Sequence, residues 1–266
     1  MAQQYRARKR FGQNFLVDHQ IISQIISCFA NSTNPIIEIG PGRGALTAEL
    51  LKIGVPLIAL ELDRDLIPIL QREYQQHDNF DLRQADALTF DFTCVKHLAP
   101  IRLVGNLPYN VATPLIFRLL EDISWISDMH FMLQWEVVAR LSARRGDSHY
   151  GQLSLVVQNL CETTTLLEVP PTAFTPSPKV NSGVIHLKPR AQPLVSVEQR
   201  AVFNALVKSA FAQRRKTLRN NLKGILDEKQ ISDSGVEPGL RAEAISMDGF
   251  IRLTQTLVDA RGSAPD

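Results

Sequence analysis

Residues 36–47 read I-I-E-I-G-P-G-R-G-A-L-T, an apolar run broken by three glycines at alternate positions, Gly40, Gly42 and Gly44, before helix-forming residues resume. A buried strand that ends in a glycine turn lets a ligand lie against bare backbone, because no Cβ stands in the way. By itself the pattern also fits a tight strand-to-helix turn that binds nothing. Working outward, further apolar runs lie at 57–60, 80–84, 102–104, 130–133, 153–158 and 184–187, and helix-like stretches at 46–51, 66–74, 114–120 and 136–142. Strand and helix alternating at this spacing predict an α/β fold with a mostly parallel, seven-stranded sheet covered by helices on both faces. The last strands follow without a clear intervening helix, which predicts an antiparallel edge.

The chain has 266 residues, 44% hydrophobic and 21% charged, a balance that excludes a disordered chain and allows one full α/β domain plus a smaller one. Near residue 190 the strand pattern stops. Residues 188–195 hold two prolines and read as a linker, and 198–224, 231–235 and 247–258 read as helices. The expected division is therefore 1–190, an α/β domain with a basic N-terminal arm, and 191–266, a small all-helical domain. Cys28, Cys94 and Cys161 are far apart and form no C-x-x-C pair, so they read as buried, reduced thiols rather than metal or redox groups. No apolar run approaches the ~18 residues of a membrane span. Arg6, Arg8, Lys9 and Arg10 have no apolar core behind them, unlike a secretory signal. A cytoplasmic monomer with no membrane partner is the expectation.

Two acids sharpen the glycine motif. Glu61 ends the second strand, where a carboxylate can accept both hydroxyls of a ribose. Asp86 follows the third strand, placed to accept an adenine amine. Either alone would pass as a solvated strand-end acid, but at the ends of successive strands they outline an adenosine pocket. Glu38, two residues before Gly40, would repel the pyrophosphate of a dinucleotide and suits a cation instead. The sign of that charge favours S-adenosylmethionine, which carries a sulfonium and an ammonium, over NAD; no metal is expected.

After the fourth strand comes V-G-N-L-P-Y-N, residues 104–110. The plain reading is a proline turn capping a strand, yet ligands of open α/β sheets bind beyond such strand ends. An adenine amine is a weak nucleophile, because its lone pair is delocalised into the ring. Asn106 can accept one of its hydrogens and the Leu107 carbonyl the other, with Pro108 holding the turn. Tyr109 offers a face for the base, and Phe174, in a proline-rich stretch, a second one, although a loop phenylalanine also serves simply as core.

These motifs resemble the ribosomal RNA adenine dimethyltransferases, in particular their bacterial small-subunit branch. The likeness runs through R-K-R-F-G-Q-N-F-L (8–16), E-I-G-P-G-R-G-A-L-T (38–47), E-L-D-R-D (61–65), N-L-P-Y-N (106–110), P-P-T-A-F-T-P-S-P-K-V (170–180) and F-A-Q-R-R-K-T-L-R-N (211–220). The resemblance implies a Rossmann-like S-adenosylmethionine-dependent methyltransferase domain followed by a helical domain. It further implies dimethylation of the N6 amines of two adjacent adenosines in a hairpin loop near the 3′ end of 16S rRNA, within the small ribosomal subunit, and a part in subunit biogenesis. Residues matching Asn14, Leu16, Gly40, Glu61, Asp86 and Asn106 contact the cofactor in that family, and those matching Asn106, Leu107, Tyr109 and Phe174 surround the base. Gly42 belongs to the same turn. Spacing alone assigns neither Asn14 nor Leu16. In M-L-Q-W-E-V (132–137) the family usually has a lysine where this chain has Trp135.

Six basic residues and no acid lie between Asn204 and Gly224: Lys208, Arg214, Arg215, Lys216, Arg219 and Lys223. Read as one helix, this places Arg215 and Arg219 on a shared face aimed at RNA phosphates, with Leu206, Ala210, Leu218 and Leu222 toward the core. Arg140, Arg144 and Arg145 can extend that surface. The alternatives are a large-subunit adenine dimethyltransferase of the macrolide-resistance type and an assembly factor whose binding outweighs its catalysis. A dehydrogenase is opposed by Glu38.

Overall fold

The four residues Ile36–Ile39 are all buried, as are the five of Leu57–Glu61, which is what strands covered by helices on both faces require. The computed structural model describes residues 13–28 and 33–262; Arg6, Arg8, Lys9 and Arg10 lie outside them. The chain divides into one unit of Met1–Val138 and Thr163–Pro189 and another of Ala139–Glu162 and Arg190–Asp266.

In chain order the first unit begins with β1 (Phe15–Leu16), α1 (His19–Ser27), β2 (Ile36–Ile39), α2 (Thr47–Leu51) and β3 (Leu57–Glu61). Next come α3 (Ile67–Tyr74), β4 (Phe80–Gln84), β5 (Ile101–Asn106), α4 (Tyr109–Glu121) and β6 (Ile126–Gln134). α5 (Trp135–Ser142) leads out of this unit, α6 (Gln152–Leu160) lies in the other, and β7 (Cys161–Val169) leads back to β8 (Phe174–Thr175) and β9 (Ser182–Pro189). The seven-stranded sheet has the order β4-β3-β2-β5-β6-β9-β7, with β1 and β8 forming a separate two-stranded ribbon. β2 pairs in parallel with β3 and β5, and β6 in parallel with β5, while β9 runs antiparallel to β6. Strand order therefore reverses between β2 and β5, the position at which α/β sheets open a crevice at their carboxyl ends.

Residues 153–158, expected as a strand, lie instead within α6. Every residue from Leu153 to Leu160 is buried, so the run carries no amphipathic signature to separate helix from strand. At the start of α6 the Ser154 hydroxyl accepts from the Gly151 N–H and donates to the Arg140 carbonyl. A polar cluster spans β5, β6 and β9. Arg102 grips Asp128 through two hydrogen bonds of 2.6 and 2.7 Å, and the His130 ring stacks on His186 with centroids 4.3 Å apart. Burial would raise the Asp128 carboxyl, but His130 and the Arg102 guanidinium outweigh it and hold it well below the usual carboxylate range.

The second unit adds α7 (Val197–Ala210), α8 (Leu218–Asn221), α9 (Glu228–Asp233) and α10 (Met247–Gly262) to α6. Its core joins Tyr150 and Leu155 to Phe203, Leu206, Leu218, Leu222, Phe250 and Leu253. The composition shift near residue 190 gave no sign that 139–162 would join it. Nor is 198–224 one helix. α7 stops at Ala210, where the Asn221 side chain donates to the Ala210 and Gln213 carbonyls at 2.7 and 3.1 Å, and Thr217 bridges to Arg241. Arg214, Arg215 and Lys216 therefore lie on a turn, and Arg215 does not share a helical face with Arg219. All three cysteines are free, but only Cys161 is buried; Cys28 and Cys94 are exposed, contrary to expectation. Among the described residues no helix is long and apolar enough to cross a membrane.

Candidate active site

Gly40, Gly42 and Gly44 have φ of 70°, 61° and 82°, a left-handed region that side-chain-bearing residues rarely enter, so the alternate glycines are what let the chain turn here. The turn is tied to the end of β3: the Gly42 N–H donates to Glu61 Oε2 at 3.0 Å. Glu61 Oε1 accepts from the Asp63 N–H at 2.8 Å. Both oxygens of this buried carboxylate thus hold a backbone donor, and the Leu62 backbone adds a further, smaller contribution, out of about four lone-pair sites in all. Burial raises the Glu61 carboxyl, opposed by the hydrogen bonds from Asp63 and Gly42.

Glu38, 1% exposed, accepts from the Thr47 hydroxyl at 2.6 Å. Desolvation pushes its carboxyl up to about 7; the Thr47 hydrogen bond opposes this and the nearby Glu61 adds to it. Beyond β4, Asp86 Oδ1 accepts from the Leu88 N–H at 2.9 Å, which fixes the loop that carries it.

At the end of β5 the Asn106 side-chain nitrogen donates to the Asn14 carbonyl at 3.1 Å. A carbonyl can only accept, so the amide orientation is settled by chemistry: nitrogen toward Asn14, oxygen away from it. The Leu107 N–H donates to the Met132 carbonyl of β6 at 3.1 Å. In the first turn of α4 the N–H groups of Val111 and Ala112 both close on the Pro108 carbonyl rather than on Leu107. Tyr109 opens α4, and its side chain lies outside the described residues.

The β1–β8 ribbon pairs Leu16 with Phe174 and Phe15 with Thr175. Asn14, Leu16, Glu38, Gly40, Gly42, Glu61, Asp86, Asn106, Leu107, Pro108 and Phe174 all line one cavity of the first unit. Other lining residues were not singled out from the sequence, among them Phe15, Arg43 and Gln13. Phe15 packs on the glycine turn, where a Cβ on Gly42 would come 3.1 Å from its ring, and the Arg43 guanidinium sits 5.0 Å from the ring centroid. Gln13 donates to Asp63 at 3.0 Å. All three lie inside the motifs 8–16 and 38–47 that carry the family resemblance, but no spacing argument assigns them a place in the cavity.

The basic residues belong to the other unit. Arg214 donates to the Ser148 carbonyl at 2.8 Å and lies 3.4 Å from Glu243, and Arg219 lies 3.3 Å from Glu228. Arg215, Lys216 and Lys223 are exposed. Arg144 reaches Gln158 at 3.3 Å.

A parallel sheet with an antiparallel edge, opened between β2 and β5 by a glycine turn and lined by strand-end acids, defines a Rossmann-like methyltransferase domain. The chain belongs to the ribosomal RNA adenine dimethylase family, whose sequence profile matches residues 4–259. It is 48% identical over 258 residues to the Ribosomal RNA small subunit methyltransferase A of Saccharophagus degradans, covering 96% of each chain. It is 47% identical over 262 residues to the protein of that name from Pseudomonas aeruginosa, covering 98% of each. Among solved structures it shares its fold with the 23S rRNA methyltransferase ErmE (TM-score 0.75, 24% identity, 92% of this chain and 100% of that one). A dimethyladenosine transferase from Plasmodium falciparum has the same fold (TM-score 0.76, 24% identity, 90% of this chain and 95% of that one). The protein is accordingly a ribosomal RNA adenine dimethyltransferase.

Proposed function

We propose that the protein uses S-adenosylmethionine to dimethylate the N6 amines of two adjacent adenosines in small-subunit ribosomal RNA. The observation that carries this reading is Asn106, whose nitrogen is held by the Asn14 carbonyl while its oxygen is turned away from it, beside the Leu107 carbonyl that the first turn of α4 passes over. Two acceptors side by side suit an NH2 group. Accepting both hydrogens draws the nitrogen out of conjugation and turns its lone pair toward an electrophile.

The cavity suits the cofactor in three ways. Glu61 retains acceptor capacity for the ribose hydroxyls, Asp86 for the adenine amine, and the buried Glu38 sits beside the glycine turn, where a cation would stabilise its charged form. Bound there, S-adenosylmethionine supplies an electrophilic methyl group. Phe174, held against Leu16, gives the base an apolar wall. The exposed Arg215, Lys216 and Lys223 meet RNA phosphates.

The shared name of the relatives at 47–48% identity supports a small-subunit substrate over a large-subunit one. The test is labelled methyl transfer to purified unmethylated small and large subunits, with the product nucleoside identified. N6,N6-dimethyladenosine in the small-subunit RNA is the expected product; transfer confined to the large subunit would overturn the proposal.

A further inference from the structure

Of the large apolar side chains that remain exposed among the described residues, Trp135 is the aromatic one. It begins α5 immediately after β6, and its backbone N–H donates to the Asn181 carbonyl at 2.9 Å. Its ring lies against Gly183 of β9: an ideal Cβ there would stand 2.8 Å from Cε3 and 3.1 Å from Cζ3. Only a residue without a side chain admits the ring so close to the strand. One side of the ring is thus fixed to the sheet, while the residue stays 37% exposed.

The placement relates Trp135 to the transfer site. Asn106 on β5 is in register with Met132 on β6, so Trp135 lies three residues further toward the carboxyl end, within ~10 Å along a strand. The loop that leaves Phe174, itself anchored to Leu16, reaches Trp135 through Asn181. One short segment therefore links the cavity wall to this ring.

We propose that Trp135 is a stacking platform for an unpaired RNA base next to the nucleotide being methylated, and so a positioning residue for the substrate. A ring packed against the strand and still 37% exposed gives a base a rigid apolar surface at little entropic cost, and such stacking tolerates any base identity. The inference rests on the reading of Asn106 as the site of transfer. The bland alternative is that the indole only covers Gly183.

The two roles differ in what can replace the ring. Trp135→Phe keeps an aromatic face, whereas Trp135→Leu fills the space over Gly183 without one. In methylation of unmethylated small subunits, Trp135→Leu is expected to raise KM for the subunit about tenfold. Its kcat at saturating subunit and its affinity for S-adenosylmethionine should stay near wild type. Trp135→Phe should recover most of the loss. Recovery by leucine as complete as by phenylalanine, or an unchanged KM in both, overturns the proposal. A wild-type protein inactive on small subunits would instead defeat the functional reading, so the two failures are distinct.

Discussion

The side-chain nitrogen of Asn106 donates to the backbone carbonyl of Asn14, a residue 92 positions earlier, at 3.1 Å. That bond takes one of the two amide donors and turns the side-chain oxygen, the acceptor on which the proposed transfer depends, away from Asn14. Replacing Asn106 with alanine should lower kcat on the order of a hundredfold or more, the scale of losing one positioned hydrogen-bonding group at a reacting centre. Asn106→Asp should be no better, although it keeps an acceptor, because a carboxylate oxygen would then face the Asn14 carbonyl without a donor. Turnover near wild type in either folded variant would remove Asn106 from the chemistry.

Glu61 ties the glycine turn to the end of β3 in the wall of the cavity, the place proposed for the cofactor's ribose. Alanine there removes the acceptor for the Gly42 and Asp63 N–H groups as well as any bond to a ribose. Affinity for S-adenosylmethionine should fall by about 1–3 kcal/mol, the scale of lost hydrogen bonds to a charged group. RNA binding without cofactor should change little. Calorimetry on the Glu61→Ala protein checks both, and unchanged cofactor affinity would exclude the residue.

The raised Glu38 carboxyl makes two quantities move in opposite directions with pH. In the free protein its pKa of about 7 lies above the 4.5 of an ordinary glutamate, so its contribution to stability is full below the unfolded pKa and is lost as pH rises through about 7. A cationic ligand beside it favours the ionised form. Cofactor affinity should therefore increase roughly tenfold between about pH 6 and about pH 8, as a proton need no longer be displaced. Melting temperatures of the free protein and binding titrations across this range provide the measurement, with Glu38→Gln expected to flatten both trends.

Arg215, Lys216 and Lys223 stand exposed, whereas Arg214 and Arg219 lie against Glu243 and Glu228. Replacing Arg215 and Lys216 with alanine should weaken small-subunit binding and reduce the salt slope of log K by about one to two, while cofactor affinity and melting temperature hold. The Arg219–Glu228 pair is exposed on both sides, so Arg219→Ala should cost no more than ~1 kcal/mol of stability. A salt slope unchanged in the double variant would assign the turn no phosphate contact.

The sheet was legible wherever burial on both faces left a short, mostly apolar run, as at Ile36–Ile39 with Glu38 its one polar residue and at Leu57–Leu60, and the cavity wherever a polar residue closed such a run, as at Glu61 and Asn106. The same kind of run misled at 153–158, because a helix buried all round also has no polar face. Gln13 and Asp63 meet across 50 positions, and no local pattern reports such a pairing. The basic stretch looked helical by composition; what ends α7 is the Asn221 side chain, reaching back eleven positions to the Ala210 carbonyl.

The helical unit is assembled from two separate lengths of chain, and Tyr150 in the first donates to the Ile245 carbonyl in the second. Translation delivers these lengths one after the other. When residues 139–162 leave the ribosome, Phe203, Leu206 and Phe250 have yet to be made, and Tyr150 and Leu155 have no interior to enter. A nascent chain halted at Pro189 would carry that apolar surface uncovered, an invitation to a chaperone or to aggregation. Neither unit is one uninterrupted piece of gene, so a clone ending at residue 190 is not a domain but an unfinished molecule.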